Sequence, residues 1–418
     1  MKAIIIGGGI GGLTTALMLH ARGIECDIYE QADAARELGV GINTLPHAIK
    51  ELAELGLLDR LDAVAVRTYE LFYMNRFGQE IWREPRGLDA GYDVPQFSIH
   101  RGRLQSVIYQ AVRARLGEKH LHLGHRLGSF QQHEGGVRAY FFDRNGSHRA
   151  TAEGDILVGA DGIHSRVREM LFPNEGPARW NGIMLWRGAT DWPVFLTGRS
   201  MIVAGGLAAK FVIYPIAPGS SPDHKLTNWA VTAKIADGST PPPQKEDWSR
   251  AGRMDDLLPH IQRFQIATVD AQRLIEATPE FWEYPMCDRD PLPRWSDGRV
   301  TLLGDAAHPM YPVGSNGASQ AILDARALAD RLKNAEHPIA ALWAYEQDRL
   351  PMTAQIVRMN RKGGPEGVID VVEELAPDGF ANIDDVLSHD RRQAIVRGYA
   401  STAGFAKEQV NRLVGKAA

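Results

Sequence analysis

The chain has 418 residues, of which 44% are hydrophobic and 23% are charged, and its formal net charge is −4. This is the composition of an ordinary globular protein, and the length predicts two or three domains. Because the basic residues are scattered along the chain, we expect neither a nucleic-acid partner nor an anionic membrane surface.

The first predicted element is a buried strand, Lys2–Ile6, a short apolar run typical of a central parallel strand. It leads straight into glycines, unlike a secretory signal. No stretch approaches the roughly 18 apolar residues of a membrane span. Two cysteines, Cys26 and Cys287, lie far apart and outside any metal-binding spacing. We therefore expect a protein of the reducing cytoplasm with no metal site and no disulfide framework.

A glycine-rich turn follows the strand, with Gly7, Gly9 and Gly12 in the spacing GxGxxG. In a dinucleotide-binding unit the first glycine turns the chain, the second lets the backbone approach a pyrophosphate, and the third lets the helix pack on the strand. The amides at the start of the following helix, near Gly11 and Gly12, are expected to face the phosphates.

The context of this turn makes the pattern informative, since 42 glycines make chance matches common. Gly23 lies where the helix should end, and a second strand at residues 26–29 ends in Glu30. A carboxylate there can accept hydrogen bonds from both ribose hydroxyls and repels a 2′-phosphate. The unit therefore predicts that FAD or NAD is bound.

Strands and helices alternate along the next part of the chain. Helices are predicted at residues 46–58 and 101–116, and strands at 96–99, 121–130, 137–142 and 156–158. Four strands separated by loops then predict an inserted antiparallel sheet, at residues 184–187, 201–204, 211–216 and 229–235. A buried strand at 300–303 and a helix at 315–332 follow, and the chain beyond Ala341 is predicted to be helical.

Three separated motifs occur in an order and spacing that one enzyme family uses: the turn of Gly7 to Gly12 with Glu30, the run GADGIHS at 159–165, and the run GDAAHP at 304–309. With them the chain resembles the group A FAD-dependent aromatic hydroxylases. It most resembles the phenazine-pathway hydroxylase of a methylated phenazine carboxylate and, more loosely, the salicylate and 3-hydroxybenzoate hydroxylases. Further matches lie at residues 98–102, 186–188, 284–286 and 314–323.

The resemblance and the pattern of elements together predict an α/β fold. A Rossmann-like FAD-binding domain with a mixed parallel sheet (1–178 and 295–350) is expected to be interleaved with an antiparallel-sheet substrate domain (179–294). A helical C-terminal region (351–418) follows, and it can cap the substrate pocket or form a dimer. The expected assembly is a monomer or a homodimer.

The resemblance implies a flavoprotein monooxygenase with resident FAD. NADH or NADPH visits to reduce the flavin, since the chain has no second GxGxxG unit for a resident nicotinamide. Reaction of the flavin with O2 through a C4a-hydroperoxide then hydroxylates a small aromatic, a phenol or an aromatic carboxylic acid, with or without decarboxylation. The alternatives are a monooxygenase of the same fold that acts on a larger natural product or antibiotic, and a flavin-binding module without oxygenation.

The resemblance also implies the residues that hold the cofactor. Asp305 orders the ribityl and pyrophosphate region, and the helix that starts after Gly314 points its amides at the flavin. Arg101 lies near the phosphate unless it is a surface arginine, and Asp161 contacts FAD and the nicotinamide unless it caps its own turn. The expected cofactor-binding residues are Gly7, Gly9, Gly11, Gly12, Glu30, Gly41, Arg101, Asp161, Asp305, Gly314, Gly317 and Ala318.

Three residues are predicted to act on the substrate. Tyr214 can hydrogen-bond a substrate hydroxyl, and Arg187 can hold a carboxylate by a bidentate pair, although either side chain can instead be part of the sheet. Pro312 begins the loop that lies against the flavin face in the family. His308 is a candidate base, but its place after a strand end favours a structural role.

Overall fold

The computed structural model describes residues 1–34, 40–244 and 250–412, so parts of the predicted domains, including residues 413–418, lie outside the described residues. In chain order the strands are β1 (Lys2–Ile6), β2 (Glu25–Glu30), β3 (Gly41–Thr44), β4 (Val66–Arg67), β5 (Glu70–Asn75), β6 (Glu80–Pro85), β7 (Phe97–His100), β8 (Leu121–Leu123), β9 (Arg126–His133), β10 (Gly136–Phe142), β11 (His148–Gly154), β12 (Ile156–Gly159), β13 (Arg179–Pro193), β14 (Ser200–Gly205), β15 (Ala209–Pro218), β16 (His224–Lys234), β17 (Phe281–Asp288) and β18 (Val300–Leu302).

The helices connect these strands and make up most of the C-terminal region. They are α1 (Ile10–His20), α2 (Pro46–Glu54), α3 (Leu58–Asp62), α4 (Arg101–Leu116), α5 (Arg166–Leu171), α6 (Met254–Ile261), α7 (Ala271–Glu276), α8 (Gly317–Lys333), α9 (Pro338–Asn360), α10 (Gly367–Leu375), α11 (His389–Thr402) and α12 (Lys407–Arg412). Among the described residues, none of these helices is both long and apolar enough to cross a membrane.

A five-stranded parallel sheet in the order β18-β12-β1-β2-β8 is the centre of the fold. Its central strand is apolar on both faces, because α1, α8 and their neighbours cover the sheet, and Ile4 and Ile5 are fully buried. Since all five strands run in one direction, their carboxyl ends share one edge. The segments after β1, β2, β12 and β18 therefore meet there, although they come from distant parts of the chain.

A larger, seven-stranded sheet has the order β17-β13-β16-β15-β14-β5-β6. Its neighbours are antiparallel, except for the parallel pair of β14 with β5. The sequence analysis predicted its centre but not β5 and β6, which come from the first hundred residues. Every residue of β5 is buried, so the alternation of polar and apolar residues that marks a half-exposed strand is absent.

Helices cover both faces of the seven-stranded sheet. On one face, Leu257 of α6 and Leu274 of α7 pack against Phe211 and Trp229. On the opposite face, side chains of α10 and α11 pack against Tyr214, with Val372 in the same buried cluster. The C-terminal region therefore shares a core with the sheet predicted to bind substrate.

Two predicted elements are interrupted by glycines. The helix expected at 46–58 ends at Glu54, because the chain turns at Gly56 with φ of +68° before α3 begins. The strand expected at 121–130 is broken at Gly124, with φ of +67°, into β8 and β9, which belong to different sheets. In both places a left-handed glycine ends an element that its apolar pattern would have continued.

Candidate active site

The glycine turn after β1 has the close contacts that its spacing predicts. Gly7 has φ of +107°, and a β-carbon there would lie 2.4 Å from the Ala160 carbonyl oxygen. A β-carbon at Gly12 would lie 2.0 Å from the Gly7 carbonyl oxygen. Gly9 differs, because a β-carbon there would have no atom within 4 Å. Two glycines are thus required by protein packing, and the third borders open space where a ligand can approach.

The start of α1 is open to an anion. Gly9 is its N-cap, no side chain caps it and no acid lies in its first turn, so its first amides keep their capacity to donate. Gly11 packs against the end of β18, since a β-carbon there would lie 2.9 Å from Leu303 Cδ2. This contact fixes the helix over the edge where the strands end.

Glu30 is held in a defined orientation at the end of β2. Its Oε2 accepts a hydrogen bond from the Gly8 amide at 2.7 Å, and its Oε1 accepts one from the Ala32 amide at 2.8 Å. The two bonds tie the carboxylate to the glycine turn. The remaining lone pairs of its oxygens can accept hydrogen bonds from the hydroxyls of a ribose.

Arg101 and Asp305 line a deep cleft at the same edge. Both side chains contact solvent in the cleft, but the protein atoms around them displace much of the surrounding water. This desolvation raises the pKa of Asp305 and lowers the pKa of Arg101. Their charges attract each other, and the charge of Arg187 also acts on Arg101. Among the described residues, no carboxylate lies within ion-pair distance of Arg101. Its guanidinium can therefore bind an anion in the cleft.

The carboxylate of Asp161 accepts hydrogen bonds from its own segment of the chain. Its Oδ1 accepts from the Ser165 hydroxyl at 2.5 Å, and its Oδ2 accepts from the Arg166 amide at 2.7 Å and the Val167 amide at 3.3 Å. The carboxylate thereby supports the N-terminus of α5. The backbone of the segment is also close to the glycine turn, because a β-carbon at Gly7 would lie 3.1 Å from the Asp161 Cα.

The loop before α8 borders the same cleft. A β-carbon at Gly317 would lie 3.9 Å from Asp305 Oδ1, so the first turn of α8, which continues with Ala318, starts beside that carboxylate. No side chain caps this helix, and its first turn has no acid. The Pro312 carbonyl oxygen accepts from the Ser315 amide at 3.1 Å, which closes the loop into a tight turn.

Arg187 lies on β13 on the sheet face that carries Tyr284 and Tyr214. Its guanidinium donates to the Tyr284 hydroxyl at 3.2 Å and to the Gly41 carbonyl oxygen at 2.5 Å. Gly41 itself lies against Asn228, which accepts a hydrogen bond from the Gly41 amide at 2.8 Å. The Arg187 Nε atom is buried without a hydrogen-bond partner, and no carboxylate of the described chain pairs with this guanidinium.

Tyr214 is buried on the same face of the sheet. Burial raises the pKa of its hydroxyl to about 12, with the charge of Arg187 acting in the opposite direction. The register of the sheet pairs Tyr214 with Asn228 and Arg187 with Ala230, so the two side chains share one face of the sheet on strands that flank β16. The tyrosine is therefore a neutral hydrogen-bond donor beside a positive charge.

His308 has the structural position that its motif favours. It is buried, its Nε2 atom lies 2.6 Å from Asp324 Oδ2, and its ring packs near Trp295. Asp324 also accepts from Arg349 at 2.7 Å and from the Gly304 amide at 3.1 Å. The imidazole therefore belongs to a buried network that joins the β18 turn to α8 and α9.

Met310 and Tyr311 come directly before Pro312, and the sequence analysis did not find Asn360 or Tyr399. Tyr311 is buried in a cluster with Tyr284, and Met310 packs on the cluster that contains Tyr399. The Asn360 amide donates to the Tyr311 carbonyl oxygen at 2.9 Å. Tyr399 lies in the C-terminal region, where no motif marked it, so only its contacts reveal it.

Comparison with known proteins identifies the family of the chain. A family model described as an FAD binding domain matches residues 1–360. Phenazine 1,6-dicarboxylic acid hydroxylase PhzS of Lysobacter antibioticus is 45% identical over 365 residues, which cover 86% of this chain and 88% of the relative. Aurachin C monooxygenase/isomerase of Stigmatella aurantiaca is 33% identical, covering 88% and 90%. The 3-hydroxybenzoate 6-hydroxylase 1 of Aquipseudomonas alcaligenes is 31% identical, covering 86% and 87%.

Solved structures share the fold at lower identity. A salicylate hydroxylase in complex with its substrate superposes with a TM-score of 0.74 at 20% identity and covers all of this chain and 98% of that one. HpxO of Klebsiella pneumoniae with FAD and uric acid superposes with a TM-score of 0.72 at 24% identity, covering 96% of each chain. The chain belongs to the family of FAD-dependent aromatic monooxygenases, as its motifs predicted.

Proposed function

We propose that this monooxygenase hydroxylates a carboxylated aromatic ring and that Arg187 binds the carboxylate. The observation that carries the proposal is the guanidinium of Arg187, which is enclosed by protein and, among the described residues, donates hydrogen bonds only to a tyrosine hydroxyl and a backbone carbonyl. An uncompensated charge in such a place is costly unless a ligand brings the opposite charge. The names of two relatives, a phenazine dicarboxylic acid hydroxylase and a hydroxybenzoate hydroxylase, fit an acid substrate.

FAD is held, in this proposal, at the edge where the parallel strands end. Gly9, Gly11 and Gly12 with the free amides of α1 take the pyrophosphate, and Glu30 takes the adenosine ribose. The further contacts proposed for FAD are Gly7, Gly41, Arg101, Asp305, Gly314, Gly317 and Ala318. Asp161 acts through the turn that its carboxylate supports. Bound FAD supplies the ring that accepts hydride from NADH or NADPH and activates O2.

The chain's own groups orient the substrate and keep the pocket dry. Tyr214 donates a hydrogen bond to a ring hydroxyl or carbonyl, because its raised pKa keeps it protonated. Arg187 fixes the carboxylate, and Pro312 shapes the loop on the flavin side. We propose three domains, at residues 1–178 with 295–350, at 179–294 and at 351–418. The strands β5 and β6 connect the first domain to the second, since they pair into the seven-stranded sheet.

The first test is catalysis by the purified protein with its flavin. Oxidation of NADH or NADPH should accelerate when an aromatic acid is added, and the product should carry one added oxygen atom. Mass spectrometry separates plain hydroxylation from hydroxylation with loss of carbon dioxide. Single rings such as 3-hydroxybenzoate and tricyclic acids such as phenazine-1,6-dicarboxylate are compared to distinguish small from larger substrates. Light scattering decides between monomer and homodimer.

The sharper test replaces Arg187 with methionine. For an accepted aromatic acid we expect kcat/KM to fall about 30-fold or more, the equivalent of about 2 kcal/mol for loss of a buried charge pair. For the matching carboxamide, kcat/KM should fall little, because this substrate lacks the negative charge. Arg179→Met is the control on the same strand, where the exposed arginine pairs with Asp290. It should leave kcat/KM unchanged for both the acid and the carboxamide. Equal losses for acid and amide would exclude carboxylate binding by Arg187.

A further inference from the structure

The loop between β18 and α8 has a strained backbone. Gly314 has φ of +68°, and the next residue, Ser315, has φ of +55°, a conformation that side chains other than glycine rarely adopt. Such a conformation costs of order 1–3 kcal/mol and persists only where neighbouring groups hold it. Those groups come from the C-terminal region, most of which lies beyond the residues that the family model matches.

Tyr399 of α11 and Asn360 at the end of α9 hold the loop together. The Tyr399 hydroxyl donates to Asn360 Oδ1 at 2.9 Å and lies 3.4 Å from the Val313 carbonyl oxygen. The Asn360 amide donates to the Tyr311 carbonyl oxygen at 2.9 Å. A β-carbon at Gly314 would lie 2.6 Å from the Tyr399 ring. Both hydrogen bonding and ring packing therefore determine where the loop lies.

A second link joins the loop to the substrate-side sheet. A β-carbon at Gly364 would lie 3.0 Å from Val313 Cγ1, and Glu366, two residues further on, lies 3.9 Å from the ammonium group of Lys210 on β15. Lys210 also donates to Asp370 at 3.0 Å. The C-terminal region thus connects the loop to the sheet that carries Tyr214. The distance between the loop and this sheet therefore depends on contacts of the C-terminal region.

We propose that Tyr399 and Asn360 are positioning residues that hold the loop of residues 311–315 at the distance from the flavin that efficient hydroxylation requires. The inference rests on the proposed function, in which this loop and the start of α8 face the flavin. Reacting groups must be held within a fraction of an ångström, so a contact one layer removed from the flavin affects its chemistry. In this way the C-terminal region controls the active site without contacting the substrate.

The test compares Tyr399→Phe and Asn360→Asp with Tyr92→Phe. Tyr92 is the matched control, because its hydroxyl also ties the C-terminal region down, by donating to the Phe405 carbonyl oxygen at 2.7 Å, and this hydrogen bond lies outside residues 311–315. Amide hydrogen exchange of a peptide spanning residues 308–317 measures the loop directly. We expect exchange about tenfold faster in both loop variants, since each loses a buried hydrogen bond, and unchanged exchange in the control.

The flavin is probed with sulfite, whose binding to oxidised FAD enzyme is read from loss of flavin absorbance and needs no substrate. We expect the sulfite Kd to rise about threefold or more in the loop variants and to stay constant in Tyr92→Phe. Unchanged exchange in the loop variants, or an equal change in the control, overturns the inference. So does faster exchange with an unchanged sulfite Kd. Failure of the proposed function is separate, since it appears in the wild-type enzyme as absent hydroxylation.

Discussion

The charge state of a few enclosed side chains decides what the pocket can do. Arg187 brings a positive charge that no described carboxylate neutralises, and Tyr214 is kept neutral beside it. His308, the obvious base by its motif, is already paired with Asp324. Arg187 and Tyr214 can therefore orient a substrate and donate hydrogen bonds to it.

The raised pKa of Tyr214 leads to a prediction about pH. A phenol with a pKa of about 12 remains protonated at any ordinary assay pH, so its donor function is constant from about pH 6 to about pH 10. Tyr214→Phe should lower kcat/KM for a hydroxylated ring about tenfold, the loss of one hydrogen bond, and leave the shape of the pH profile unchanged. An alkaline limb that disappears in the variant would contradict this.

At the scale of elements, a buried ion network joins the turn after β18 to α8 and α9. Asp324 is 0% exposed and Arg349 7%, and the carboxylate also accepts from the Gly304 amide. Burial alone would raise the pKa of Asp324, but the charges of His308 and Arg349 outweigh it and lower the pKa to about 2. The network thereby anchors the segment from which Asp305 projects.

Asp324→Asn should destabilise the protein by about 3 kcal/mol or more, because Arg349 is left buried without its counter-charge. Urea unfolding measures this. Asp348→Asn, which breaks an exposed pair with Arg331, should cost less than about 1 kcal/mol. The lowered pKa also predicts that the stability from Asp324 is present above about pH 4 and is lost as the pH falls through about 2. Equal costs for the two variants would refute the prediction.

At the scale of the whole molecule, the cleft is built from parts that are far apart in the chain. The glycine turn, the segment after β12 and the turn after β18 meet only in the folded sheet, and the C-terminal helices α10 and α11 pack against one face of the seven-stranded sheet. A ligand that contacts several of these parts binds the native chain and not the unfolded one. Binding of FAD must therefore stabilise the entire fold.

This coupling predicts how the melting temperature responds to FAD. At free FAD about 1,000 times its Kd, the apoprotein should gain about 4 kcal/mol, and its Tm should rise by several degrees. Riboflavin lacks the pyrophosphate and adenosine, so it should give little of this gain. Arg101→Met should reduce the gain from FAD. Thermal melts over a range of ligand concentrations measure all three effects, and equal stabilisation by riboflavin would contradict the proposed phosphate site.

The sequence by itself determined the local units and their order. The first unit of the fold can be predicted from local sequence: β1, the glycine turn, α1 and the acid that ends β2. Each of these depends on neighbouring residues, through apolar runs, left-handed glycines and helix ends. The order of three such motifs predicted the family. The same local logic failed for β5, whose fully buried residues have no alternation, and at Gly56 and Gly124, where a single glycine ends a pattern.

Only the tertiary structure decided which of these units meet. Nothing local in the sequence indicates that Arg187 has no acidic partner among the described residues, that Asp161 directs its carboxylate to α5, or that Tyr399 packs on Gly314 from 85 residues away. Such contacts depend on how whole layers pack, and packing distances are set by all the residues between them at once. The chemistry was therefore readable from motifs, whereas the geometry that makes it selective had to be observed.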